Sequence, residues 1–290
     1  MSFADTRSIP LVDGAPKRYR GAFARLYRGE MRLLLTRRRN WILLAVLAVV
    51  PVFIGVAVKL SDPGGGDGPQ FIGRITGNGL FLVFTAITVA IPFFLPLVIG
   101  VIAGDSIAGE AGQGTLRYLL TVPVPRGRLL AVKTLGVATF TALAVVLVAA
   151  IGLITGALLF GVHSLVLLSG DTVGIGNALL RTFGVVVYVT IALFGLAAGG
   201  LFISTLTENA IAAMAATVSI AVFSALLDAV PQLSAIHPVL LTHHWLDFGE
   251  LLRSSISWSD LTSWTALHLA YAAIFLSLAW SRLTTRDITS

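Results

Sequence analysis

Cysteine is absent from the 290 residues. Its absence excludes a disulfide framework, a thiolate metal site and a thiol nucleophile, and it leaves no trace of redox compartment. Charge is scarce too: Asp, Glu, Lys and Arg make up 12%, against 56% hydrophobic residues and a mean hydropathy of +0.91. So few polar groups cannot cover a water-soluble globule, and the chain must be solvated by lipid. No phosphate-binding loop of the form GxxxxGK[ST] occurs, which excludes that way of cradling ATP. The glycine-rich run Gly64–Gly68 has no lysine at the needed offset and reads as a flexible turn. Gly174-Ile-Gly176 lacks the third glycine of a dinucleotide fingerprint. The stretch from Gly104 through Ser106 to Gly109 has the spacing GxSxxG, not the GxSxG of a nucleophile elbow.

What is present in quantity is apolar sequence. Stretches at Trp41–Val58, Leu80–Ala103, Thr134–Gly161, Phe183–Leu206, Ala210–Leu227 and Trp264–Trp280 are each near the length that crosses ~30 Å of hydrocarbon at ~1.5 Å per residue. Backbone groups inside hydrocarbon must bond within their own segment, and the alternation of barrel strands is missing, so helices are expected. The fold expectation is an all-α integral membrane protein with six transmembrane helices: an amino-terminal segment over 1–40, a six-span domain over 41–283 and a tail over 284–290. The first 40 residues lack the apolar core of a signal peptide. Sixteen of the 20 Lys and Arg fall in segments that would share one side, residues 1–40, 104–133, 207–209 and 281–290. That asymmetry predicts a cytoplasmic location for both termini and for the 104–133 loop, in the plasma membrane. Basic charge is then a topology signal and not a nucleic-acid interface. Ionisable residues are nearly absent from the span interiors, which disfavours a proton- or sodium-coupled carrier and suits a hydrophobic or amphipathic cargo.

Ahead of the first span, residues 20–36 carry a helical pattern. Phe23, Leu26, Tyr27, Met31 and Leu34 share one face and Arg25, Arg28 and Arg32 the opposite one, as in a helix lying at a membrane surface beside anionic lipid headgroups. Glu30 projects into the apolar sector, where a bare carboxylate is costly, so a cationic or hydrogen-bonding partner is expected from a neighbouring helix or from the 104–133 loop. Pro92 and Pro96 remove backbone donors from the second span and predict a bend or hinge. Gly100/Gly104, Gly152/Gly156 and Gly195/Gly199 have the spacing that lets helices approach closely, within one subunit or across a dimer seam. His237, His243 and His244 lie near Asp247 in the 228–263 connection, but their spacing fits no metalloprotease motif, and they read as interfacial polar residues. Apolar residues interleaved with charged ones there predict a partly helical stretch dipping into the outer interface, with the fifth span breaking at Asp228–Pro231.

The 104–133 loop is too polar to span and too hydrophobic for a free linker. Leu116, Leu119 and Leu120 lie at helical spacing, so a short helix is expected over Thr115–Leu120, stopped by Pro123 and Pro125. The pattern Asp105-x-x-Ala108-Gly-Glu110-x-x-x-Gly114-Thr115-Leu116, followed by Pro123-Val124-x-Arg126-x-x-Leu129-Leu130-x-x-Lys133, resembles the cytoplasmic loop of ATP-binding cassette type 2 permeases. The likeness runs from about residue 20 to 283, although its specific part is this loop. It implies a coupling helix docked on a separate ATPase subunit present in two copies, with Glu110, Gly114, Thr115, Leu116, Arg117 and Leu119 at the dock and Asp105 and Arg126 bracing the loop. It also implies ATP and Mg bound by that ATPase and not by this chain, a second permease subunit, identical or paralogous, and re-entrant outer helices capping the exit path. The function expected is the membrane subunit of an exporter with no ATPase site of its own. The alternative is a non-transporting membrane scaffold or immunity-type protein that recruits a cytoplasmic partner.

Overall fold

The computed structural model describes residues 21–61, 78–113 and 125–285. Gly114, Thr115, Leu116, Arg117 and Leu119, and the short helix expected around them, lie outside the described residues, as do the turn at Gly64–Gly68 and the first 20 residues. The described chain forms helices α1 (Ala22–Thr36), α2 (Arg38–Leu60), α3 (Leu80–Ala90), α4 (Phe94–Gly112), α5 (Arg126–Phe160), α6 (Ile175–Leu206), α7 (Ala210–Asp228) and α8 (Trp258–Thr285). A two-residue antiparallel ribbon, Leu165–Val166 with Thr172–Val173, joins α5 to α6. Four short 3-10 helices between Pro231 and Leu252 join α7 to α8.

Six helices, α2 and α4 to α8, are long and apolar enough to cross a membrane. The chain is an all-α, multi-pass integral membrane protein. Several helices outrun the expected spans. α5 begins at Arg126 rather than Thr134, α6 at Ile175 rather than Phe183, and α4 runs on to Gly112 rather than stopping at Ala103. At ~1.5 Å per residue, the 35 residues of α5 make a rod of about 50 Å, well beyond the ~30 Å of hydrocarbon. The apolar-run reading ends a span where charge begins, but a helix keeps its own hydrogen bonds whether its side chains meet lipid or water.

The expected second span is not continuous. α3 stops at Ala90, residues 91–93 turn, and α4 restarts at Phe94. Pro92 supplies no N–H at the break and Pro96 supplies none to the carbonyl one turn earlier, so the ladder loses two rungs in succession. Phe93 leaves helical geometry at φ −138° and ψ −55°. Pro51, alone inside α2, leaves that helix whole.

α4 is the most enclosed candidate span, packed on α6 and α7, while α3 rests on α5 and α2, α8 on α6, and α1 on α5. The three glycine pairs make contacts within the subunit. A methyl group at Gly104 of α4 would stand 2.6 Å from the Met214 backbone nitrogen, so α4 and α7 touch backbone to backbone there. Gly152 faces the Val83 backbone of α3. Gly195 and Gly199 of α6 face Tyr271 and Phe275 of α8 less tightly, at 3.4 Å.

Candidate functional site

At the bundle end where α4 stops and α5 starts, four elements bring six charged side chains together. α1 packs against α5 with Glu30 and Leu34 buried and Leu26, Tyr27 and Met31 half-buried, while Arg25, Arg28 and Arg32 face outward. Phe23, expected on the same apolar face, is 39% exposed. Two side chains of α2 close the carboxyl end of α1: Asn40 Nδ2 donates to the Leu34 carbonyl at 2.7 Å and Trp41 Nε1 to that of Leu35 at 2.6 Å. With α1 held this way, Glu30 points at α5.

Lys133 is the cation that Glu30 meets. Its Nζ donates to Glu30 Oε2 at 2.8 Å and also to Glu110 Oε1. All three residues are under 9% exposed. Burial pushes the Glu30 carboxyl above its ordinary value, and the neighbouring Lys133 pulls it back only in part. Beside this triad, Asp105 Oδ2 accepts from Arg37 at the α1–α2 joint and from Arg39 Nη2 of α2 at 2.6 Å. Three carboxylates and three cations thus balance around a cavity of about 10 Å³, the size for one water.

This geometry corrects several expectations. Asp105 and Glu110 are not on a loop; both lie on α4 with their side chains buried. Asp105 and Arg126, expected to brace the loop, both make their contacts to other helices: Asp105 to the start of α2, as above. Arg126 donates through Nη1 to the carbonyls of Leu283 and Thr284, at 2.8 and 3.0 Å, satisfying the end of α8, and Trp280 lies against Gly127. Ser204 of α6, fully buried, accepts from the backbone N–H groups of Ile107 and Ala108 at 3.0 and 2.8 Å and donates to the Gly104 carbonyl at 2.7 Å. The stretch of α4 between its two acids is therefore pinned from α6. Lys133, Arg37, Arg39 and Ser204 escape sequence reasoning, because each looks like an ordinary flanking charge or helix hydroxyl until its partner arrives from far along the chain. A lysine at the edge of an apolar run, with an uncompensated Glu30 upstream, was the available signal.

At the opposite end, the connection after α7 folds as a cap. α7 ends at Asp228, and Asp228 Oδ1 pairs with His243 Nδ1 at 2.6 Å. Asp247 pairs with His244 at 2.5 Å, since the 3-10 turns bring residues three apart together. The His244 ring stacks on Trp264 with centroids 5.1 Å apart. Arg181 of α6 ties the cap down through the carbonyls of Leu251 and Arg253, at 2.6 and 2.8 Å.

Among known proteins, the sequence model of the ABC-2 family transporter protein matches residues 33–224, from the end of α1 to near the end of α7. A protein described as the probable ABC transporter permease protein NosY, from Pseudomonas aeruginosa, is 32% identical over 107 residues, which cover 37% of this chain and 36% of that relative. The similarity thus spans about a third of the relative's length. By the extent of the family match, across five of the six spans, the chain belongs to the ABC-2 family of transporter membrane proteins.

Proposed function

We propose that this chain is the permease subunit of an exporter driven by ATP that a separate ATPase subunit binds with Mg and hydrolyses. The charged end, with α1, both termini and the segment from Gln113 to Pro125, faces the cytoplasm of the plasma membrane, in keeping with the side that holds most of the lysines and arginines. The ATPase, in two copies, docks on that segment, where Gly114, Thr115, Leu116, Arg117 and Leu119 lie, and a second permease subunit completes the path. The cargo is hydrophobic or amphipathic, since the spans offer it mainly aliphatic and aromatic walls.

The observation that carries this reading, beyond family membership, is mechanical. α4 and α5 reach past the apolar runs as stiff rods and lead into one 13-residue connection, residues 113–125, whose base is fastened by the Glu110–Lys133 pair. A load passed to the ends of α4 and α5 moves each helix as a rod. Co-expression with an ABC ATPase, followed by purification through this chain and reconstitution in liposomes, tests the reading. ATP-dependent movement of an amphipathic dye with the ATPase bound is the expected result. A complex that hydrolyses ATP and moves no cargo across a broad panel would favour the scaffold alternative, and absence of any bound ATPase would defeat the permease reading. Since the chain has no cysteine, a single Gln113→Cys gives a unique label, expected to react with an impermeant thiol reagent only in inside-out vesicles.

A further inference from the structure

The six-charge cluster joins α1, α2, α4 and α5 at one point, beyond the apolar contacts among them. Glu110 precedes the 113–125 connection and Lys133 follows it, so their pair spans 23 positions and closes the connection at its base. The same Lys133 Nζ reaches Glu30 of α1, 103 positions away. Asp105, on the α4 stretch pinned by Ser204, holds Arg37 and Arg39, which flank the start of α2. The other polar ties of α1 are the Asn40 and Trp41 side chains at its carboxyl end and the Tyr27 hydroxyl, which reaches Thr139 of α5 at 2.7 Å on the exposed side.

Buried ion pairs are a poor source of stability, because desolvation offsets much of the attraction, and well-packed apolar replacements often serve as well. What such a pair supplies is position, and one ammonium shared by two carboxylates can release either and stay paired with the other. A discrete alternative of this kind is what a conformational relay requires.

We propose that Lys133 is a positioning residue that links the 113–125 connection to α1 and the first span, keeping one carboxylate while yielding the other when the base of the connection opens. Displacement of the connection by the ATPase then reaches α1 and α2 as well as α4 and α5. This inference rests on the permease reading above. It gives the amino-terminal helix a task beyond membrane anchoring: α1 is the output arm of the relay, and Glu30 is its attachment point.

The test uses the reconstituted complex with two single-cysteine sites, Arg25→Cys on α1 and Leu206→Cys at the end of α6, both exposed, carrying spin labels. Their distance is measured without nucleotide and with ATP trapped, and efflux per ATP hydrolysed is read in the same vesicles. Two changes are compared. Glu30→Leu cuts only the α1 branch and leaves the Lys133–Glu110 pair whole; the combination Glu30→Gln, Glu110→Gln and Lys133→Met removes the relay without leaving a bare buried ion. The expected result is a nucleotide-dependent distance change in the parent that is lost in both variants, with efflux per ATP lowered by about tenfold, within the usual range of coupling between sites. A parent that transports, with both variants equally coupled and equally mobile, would overturn this inference alone. A parent that shows no nucleotide-driven efflux would overturn the permease reading, and the inference with it.

Discussion

The hydroxyl of Ser204 donates to the carbonyl of Gly104 at 2.7 Å while accepting two backbone N–H groups of the next turn, so one side chain of α6 is built into the backbone of α4. The position matters because Asp105 and Glu110 flank it on the same helix. Replacing Ser204 by Ala leaves these buried backbone groups one partner short and is expected to cost about 1–3 kcal/mol. Thermal unfolding in detergent should show the loss, and a Tm equal to that of the parent would refute it.

Gly104 and Gly199 have the same spacing signature and different neighbours. Gly104→Ala forces a methyl group into the Met214 backbone, which cannot step aside without parting α4 from α7. A destabilisation of about 1–3 kcal/mol follows from such overpacking. Gly199→Ala meets only the edge of the Phe275 ring at 3.4 Å and should unfold within about 1 kcal/mol of the parent. Equal effects of the two substitutions, measured by thermal gel filtration, would contradict the assignment of α4–α7 as the tighter contact.

Arg126 satisfies the last carbonyls of α8 from the first residue of α5. Arg126→Ala should let the final turn of α8 fray, so amide exchange over residues 281–285 speeds up by about tenfold while exchange in the middle of α8 is unchanged. Uniform exchange along α8 in the parent and the variant would show that the clasp has no effect.

The pH dependence of Glu30 has a definite sign. Its folded-state carboxyl titrates above its ordinary value because burial disfavours the charged form. The folded protein therefore holds this proton more tightly than the unfolded one, and the associated stability is present at acid pH and lost as pH rises through the folded-state value. Relative to Glu30→Gln, whose amide does not titrate, the parent should lose stability as pH rises through and above the ordinary carboxylate range. Parallel melting curves for the two proteins across that window would refute the shift.

Much of the bundle was legible because lipid imposes a simple rule. A run such as Ala210–Leu227 has one viable conformation in hydrocarbon, and α7 follows it to within a residue. Glu30 was legible for the same reason: a carboxylate among Leu26, Tyr27 and Leu34 needs a counter-charge. The break at Pro92 was only half legible, since the two prolines predict a disturbed helix but the stop at Ala90 and restart at Phe94 depend on what α3 and α4 pack against. Asp105 and Glu110 fall outside the expected span because a reading of apolar runs ends a span at charge, whereas α4 continues to Gly112, with Asp105 met by Arg37 and Arg39 and Glu110 by Lys133.

Composition and the order of apolar runs, by themselves, determined that this protein is a helical membrane domain and which charges need partners, because transfer into lipid penalises every unpaired polar group wherever it occurs. Only the tertiary structure decided which partner each one takes. That Lys133 serves both Glu30 and Glu110, and that Asp105 takes Arg37 and Arg39, is set by how α1, α2, α4 and α5 cross, and a crossing is a property of surfaces brought together and not of neighbours along the chain.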